Sequence, residues 1–170
     1  MKKIIGIAGW SGSGKTTLVE GLVTIFKNNY NLKVCAIKHA HKNFTIDQEG
    51  KDSFRFSKAG AERVILSSIN QWTIINKVQE EESIENLLKF TKNFNIVLVE
   101  GWKFSKLKKI EVHRNIIKKK VLFEEDKNII AVATDNLSLV IDKKLKKLNL
   151  NDHLNIAKFI INKNFGVYND

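Results

Sequence analysis

The sequence predicts an α/β architecture of three layers: a mostly parallel sheet with helices on both faces and an inserted β-hairpin. Three observations predict it. Short continuous apolar runs at residues 3–8 and 95–99, each closed by turn residues, have the pattern of strands buried on both faces. Segments of helical periodicity lie between such runs, and this alternation gives parallel strands joined by right-handed crossovers. Two further apolar segments flank Ser68-Ile69-Asn70 with no helix between them, which reads as an antiparallel hairpin.

In chain order, residues 3–8 form the first strand. Residues 15–26 form the first helix, with Leu18, Leu22, Ile25 and Phe26 at helical spacing. Residues 33–38 read as a second strand, followed by a polar loop through Lys51 and a short helix ending near Gly60. Residues 63–67 and 71–78 make the hairpin. Residues 80–90 read as a helix capped by Ser83, with Ile84, Leu87 and Leu88 on one face. A buried strand then ends at Glu100-Gly101. Residues 110–113 and 129–133 are two further strands, and residues 151–162 form a final amphipathic helix that turns Leu154, Ala157, Ile160 and Ile161 inward.

At 170 residues, 43% apolar and 28% charged, the chain has the size and composition of a single domain spanning 1–170. One cysteine, Cys35, excludes an internal disulfide framework and fits a reducing cytoplasm. No apolar run approaches the 18 or more residues of a membrane span, and the N-terminal run is too short for a secretory core. The expectation is a soluble cytoplasmic protein with no membrane partner. A formal charge of +11 favours anionic partners. The lysine clusters (Lys103, Lys106, Lys108 and Lys109; residues 118–120; Lys143, Lys144, Lys146 and Lys147) read as solvated faces. No aromatic RNA-binding signature, zinc knuckle or helix-turn-helix pattern accompanies them, so a nucleic-acid-binding module is the weakest of the functional readings.

The chemistry is concentrated in Gly9-Trp10-Ser11-Gly12-Ser13-Gly14-Lys15-Thr16, which fits G-x-x-x-x-G-K-[ST] between a strand and a helix. Chance would place the pattern in roughly one chain of this length in a hundred, before that context is required. Its glycines let main-chain N–H groups converge on an anion at the helix N-terminus. The motif therefore assigns phosphate binding to Gly9, Ser11, Gly12, Ser13, Gly14, Lys15, Thr16 and Thr17. Lys15 bridges the terminal phosphates and the Thr16 hydroxyl ligates Mg²⁺. The sheet is thus predicted to be of the P-loop NTPase kind.

Such a loop needs a carboxylate on a neighbouring buried strand. Glu100 is the candidate, the alternative being an ordinary ion pair. Asp47, in the polar loop 47–52, is a second candidate as a mobile switch segment, the alternative being a solvated turn. His39 and His41 point the same way in an extended segment and read as phosphate or substrate contacts, or as surface histidines. Arg55, Arg63 and Arg114 suit either an anionic second substrate or structural ion pairs. Asp135, closing a late strand, is placed to accept hydrogen bonds from guanine N1 and N2, although the usual Asn-Lys-x-Asp reader is missing.

The segments Gly9 to Thr17, Lys38-His39-Ala40-His41, residues 47–53, Ala59-Gly60-Ala61, Val99-Glu100-Gly101 and Lys109-Ile110-Glu111-Val112-His113-Arg114 together resemble the MobB family of molybdopterin-guanine dinucleotide biosynthesis adapter proteins. The resemblance runs from near residue 4 to about residue 135. It implies GTP and Mg²⁺ as cofactors, weak GTPase activity and a homodimer. It also implies work beside the MobA-like guanylyltransferase that joins GMP to molybdopterin, with molybdopterin or molybdoenzymes as further partners. Carried over by position, residues 12–17 bind phosphates and Mg²⁺, Asp47 and Glu100 lie around the metal, and Asp135 lies near the base. A small-molecule kinase using ATP is the rival, since the same loop opens such enzymes, but no arginine-rich lid is evident.

Overall fold

The computed structural model describes residues 2–40, 44, 46–136 and 138–165. The chain divides into two compact units, residues 1–39 with 88–170, and residues 40–87. The first unit carries the six-stranded sheet. Its strands are β1 (Lys3–Ala8), β2 (Val34–Lys38), β5 (Ile96–Glu100), β6 (Lys109–His113), β7 (Ile129–Thr134) and β8 (Lys146–Asn149). The order is β2-β5-β1-β6-β7-β8, and every pairing is parallel. The chain leaves β1 towards β2 on one side and later returns to β6 on the other. The carboxyl end of β1 is thus where the winding reverses, the usual place for a ligand crevice.

Period-2 alternation divides the strand residues between the two faces. Ile5 and Ile7 of β1, Leu98 of β5 and Ile110 and Val112 of β6 join the main core. There they meet Leu18, Leu22 and Phe26 of α1 (Lys15–Tyr30) and Ile156, Ala157 and Ile160 of α4 (His153–Asn162). The α1 helix runs a full turn past the predicted end, because Leu32 and Asn31 close it with bonds to the Phe26 and Lys27 carbonyls and Asn31 takes the left-handed conformation. In α4 the predicted inward set is corrected. Asp152 caps Asn155 N–H and starts the helix at His153, so the buried stripe is Ile156, Ala157 and Ile160. Leu154 is exposed, and Ile161 only half-buried.

One residue of the lysine clusters is also corrected. Lys109 is not solvated but fully buried. Its register partner on β1 is Gly6, and a Cβ there would lie 2.5 Å from Lys109 Cγ, so the absent side chain makes the groove in which the lysine stem lies. The ammonium ends on Asp126 Oδ2 at 2.7 Å and the Ser105 carbonyl at 2.5 Å. Two residues on, buried Glu111 accepts the N–H groups of Leu122 and Phe123. Burial pushes its carboxyl above the usual range, the two N–H donors pull it back and Glu124 raises it further. Lys146 is solvated as read and Lys147 half-buried, but both belong to an edge strand the sequence reading did not include, β8, where Leu148 alone is buried. Lysines on an edge strand keep it from pairing with other chains, and they hid the strand in the sequence.

The second unit contains α2 (Asp52–Lys58) and the hairpin β3 (Arg63–Ser67) and β4 (Trp72–Asn76), paired antiparallel from Arg63↔Asn76 to Ser67↔Trp72. Ser68 closes the turn onto the Gln71 carbonyl. The α3 helix (Ile84–Leu88) is shorter than its predicted span and is followed by a 3₁₀ turn, Lys89–Thr91. Ser83 caps it, its hydroxyl accepting the Asn86 N–H at 3.2 Å. No helix among the described residues is long and apolar enough to cross a membrane.

Candidate functional site

The loop between β1 and α1 emerges at the point of winding reversal. Gly9 (φ 150°) passes so close beneath β6 that a Cβ would lie 2.5 Å from the Val112 carbonyl oxygen, and Gly14 (φ 94°) opens α1 in the left-handed region. Gly14 offers no side-chain cap and the first turn of α1 holds no acidic residue. The first N–H groups of a 16-residue helix are therefore presented to the crevice without a built-in acceptor.

Around this terminus stand three ammonium groups and one carboxylate. Lys15 is half-buried and rests on the Trp10 carbonyl at 2.9 Å. Burial lowers its proton affinity below the usual lysine range; Glu100 restores part of it, and Lys103 and Lys38 lower it further. Glu100, the last residue of β5 and buried, accepts the Thr16 hydroxyl at 3.0 and 3.2 Å. It is held there by register, since β5 lies directly between β1 and β2. Lys38 approaches the same pair, 3.6 Å from Glu100 Oε1 and 3.5 Å from Thr16 Oγ1.

Trp10 forms the outer wall of the loop. Its indole N–H donates to the Lys120 carbonyl at 2.7 Å, and Lys103 and Lys119 lie over its ring at 4.3 and 5.4 Å. Behind the loop, Arg114 donates to the Ser13 carbonyl at 3.1 Å and pairs with Asp135 at 3.5 Å. One guanidinium thereby ties the glycine-rich loop to the end of β7. Asp135 also accepts the Asn115 N–H at 2.9 Å. It borders an open depression of about 820 Å³ lined with Asn115, Ile116, Lys118, Asn136 and Ser138.

The structure thus brings Gly9 to Thr17, Glu100, Arg114 and Asp135 to the sheet's carboxyl edge. Ser11 and Thr17 are exposed on the loop and the first turn, while Ser13 is buried. His39 follows Lys38, donates its N–H to the Glu100 carbonyl at 2.8 Å and stacks on Trp102 with ring centroids 4.5 Å apart. His41 lies outside the described residues. Asp47 belongs to the other unit, where it accepts the Ser53 hydroxyl at 2.7 Å and its neighbour's N–H. Arg55 pairs there with Asp52 at 3.6 Å and Arg63 bonds Asn76. Lys38 and Lys103 escaped sequence reasoning as site residues; the one available signal was that Lys38 ends a strand.

Against known proteins, the model of the MobB family, molybdopterin guanine dinucleotide synthesis protein B, matches residues 4–135. The chain belongs to the MobB family. Among curated relatives, it is similar to the molybdopterin-guanine dinucleotide biosynthesis adapter protein of Haemophilus influenzae, with 41% identity over 161 residues covering 94% of this chain and 88% of that protein. It is also 33% identical over 170 residues to the adapter protein of Escherichia coli K12, covering 95% and 93% of the two chains. The crystal structure of a molybdopterin-guanine biosynthesis protein B superposes with a TM-score of 0.72 at 26% identity, covering 93% of this chain and 96% of that one. MobB of Bacillus subtilis, at 20% identity and a TM-score of 0.72 with 94% and 96% coverage, shares the fold. In MobB terms, the glycine-rich loop, the hairpin insertion and the sheet as far as β7 lie within the matched residues, and β8 lies beyond them.

Among the described residues, no group of three or more His, Cys, Asp and Glu side chains could hold a metal ion. The oxygen pair of Thr16 and Glu100 is instead the kind of donor set that suits Mg²⁺, which takes one or two protein oxygens and completes its shell with water and phosphate.

Proposed function

We propose that this MobB protein is a GTP-binding adapter of molybdopterin guanine dinucleotide assembly, hydrolysing GTP slowly to GDP and phosphate. Its partner in this reading is the guanylyltransferase that attaches GMP to molybdopterin, with molybdopterin or molybdoenzymes downstream. The observation that carries the proposal is the uncapped N-terminus of α1, with Lys15 beside it and the Thr16–Glu100 pair opposite. With Lys38 paired to Glu100, the Lys15 and Lys103 ammoniums leave an excess of positive charge suited to a triphosphate.

In this reading the loop amides from Gly12 to Thr17 take the phosphate oxygens, and Lys15 leaves the Trp10 carbonyl to bridge the terminal two. Thr16 and Glu100 hold Mg²⁺, which when bound neutralises charge on the phosphoryl group in flight. Glu100, beside the metal, also orients the attacking water. Asp135 reads guanine from the depression at the end of β7, its carboxylate kept in place by Arg114 and Asn115. The chain's only arginine outside residues 40–87 is Arg114, and it is committed to Ser13 and Asp135. A slow intrinsic rate follows, because no arginine of the sheet unit is left to stabilise the transition state. The exposed Ile65, Ile69 and Trp72 of the hairpin fit the homodimer that this reading includes.

The test is a titration of GTP and ATP, with and without Mg²⁺, read by the fluorescence of Trp10 in a variant whose Trp72 and Trp102 are replaced by phenylalanine. GTP is expected to bind more tightly than ATP. Equal responses would remove the guanine assignment, and no response to either would remove the nucleotide site. In the same assay Glu100→Gln, which keeps size but not charge, is expected to raise the Mg²⁺ concentration at half-effect about tenfold. An unchanged midpoint would exclude Glu100 from the metal's surroundings.

A further inference from the structure

The position of Lys38 is not explained by phosphate binding alone. Lys38 and Glu100 are register partners on adjacent parallel strands, so their side chains leave the sheet on the same side. The Thr16 hydroxyl has one hydrogen, which it gives to Glu100 at 3.0 Å; its lone pairs are then free to face a cation, and the Lys38 ammonium stands 3.5 Å away. The ammonium is also 3.6 Å from Glu100 Oε1. Lys38 therefore touches the two oxygen groups that form the candidate Mg²⁺ seat. An ammonium and a divalent ion cannot share those oxygens, because like charges at contact repel strongly even where the surroundings are polar. The lysine is able to withdraw: its side chain is 62% exposed and β2 is the edge strand of the sheet, with no further strand beside it.

We propose that Lys38 is a tethered counter-cation. In the metal-free protein its ammonium holds the position of the divalent ion, neutralises Glu100 and keeps Thr16 turned for ligation; when the ion arrives with nucleotide, the lysine gives the seat up. This rests on the reading of Thr16 and Glu100 as the metal ligands. Its consequence is specific. Without metal, Lys38, 3.6 Å from Glu100 Oε1, shields the incoming phosphates from that carboxylate, whereas with metal it has no further work there. Lys38 is thus a positioning residue whose effect depends on the state of the seat.

The experiment measures the Kd of GTP for wild type, Lys38→Met and Lys38→Arg by Trp10 fluorescence, once in EDTA and once in saturating Mg²⁺. Lys38→Met is expected to weaken binding about fivefold in EDTA, the scale of one exposed charge pair, and to leave the Mg²⁺ value within error of wild type. Lys38→Arg, which keeps the cation, is expected to behave as wild type in both. Equal losses in EDTA and in Mg²⁺ would overturn the proposal, since they are the signature of a direct phosphate ligand or of a structural role; no loss in EDTA would overturn it as well. A wild-type protein that binds no GTP under either condition would remove this inference together with the nucleotide site. Wild-type binding strengthened by Mg²⁺, with Lys38→Met unaffected, would remove the inference alone.

Discussion

Lys15→Ala is expected to cost roughly a hundredfold or more in GTP affinity, about 3 kcal/mol, while leaving the fold intact. The size follows from the role proposed for the ammonium when phosphate arrives, charge-assisted hydrogen bonds to two phosphates in a partly desolvated crevice. The intact fold follows from what it does before then. In the free protein Lys15 has one hydrogen bond, to a loop carbonyl, and burial, Lys103 and Lys38 lower its proton affinity below that of an ordinary lysine, with Glu100 opposing them.

A lysine whose affinity for its proton falls on folding is less stable charged in the native state than in the unfolded one. Its penalty is present at neutral pH and is relieved only as pH rises through the lowered value. Removing it therefore gives a melting temperature equal to or slightly above wild type, the pattern of a group held for function at some cost to stability. Thermal melts alongside the Trp10 titration check both halves. Wild-type affinity in the variant would refute the phosphate role, and a collapse of the melting temperature would mean that the lysine is structural.

The largest expected effect on stability lies at the Lys109–Asp126 pair. Asp126→Asn is expected to destabilise the protein by about 3 kcal/mol, because it strands a fully buried ammonium on one carbonyl and a neutral amide. Against a total of about 5–15 kcal/mol for a typical protein, that is a large share. Lys109→Met removes the charge, keeps an unbranched stem for the groove over Gly6, and is expected to fall within about 1 kcal/mol of wild type. The contrast is the content of the prediction: the charge is needed by neither the fold nor the groove, but once present it needs its partner. Urea midpoints of the two variants decide it, and equal losses would show that the pair contributes net stability.

The elements that were legible in the sequence are those whose pattern is local. Runs buried on both faces gave β1 and β5 almost to the residue, and the glycine-rich loop between β1 and α1 followed from glycine spacing and its strand-to-helix setting. The hairpin followed from two β-rich segments around a turn. β8 was not legible, because an edge strand with a single buried leucine shows no apolar run, and its lysines imitate open surface. Neither was the burial of Lys109, which depends on a glycine more than 100 residues earlier in the chain lying beside it. In α4 the periodicity was visible but its phase was not, since Asp152 sets where the first turn begins.

For the candidate site the division is similar. Residues 9–17 declared themselves by type and spacing, because backbone turns and helix termini are built from neighbours in sequence. The sequence also marked Glu100 as the end of a buried strand. Tertiary structure alone decided that β5 lies between β1 and β2, and so that Glu100 meets Thr16 and that Lys38 reaches both. It alone decided that Arg114 joins the loop to Asp135. The reason is physical: strand order is set by which apolar faces bury best against each other over the whole sheet, and that sum has no trace in any one segment.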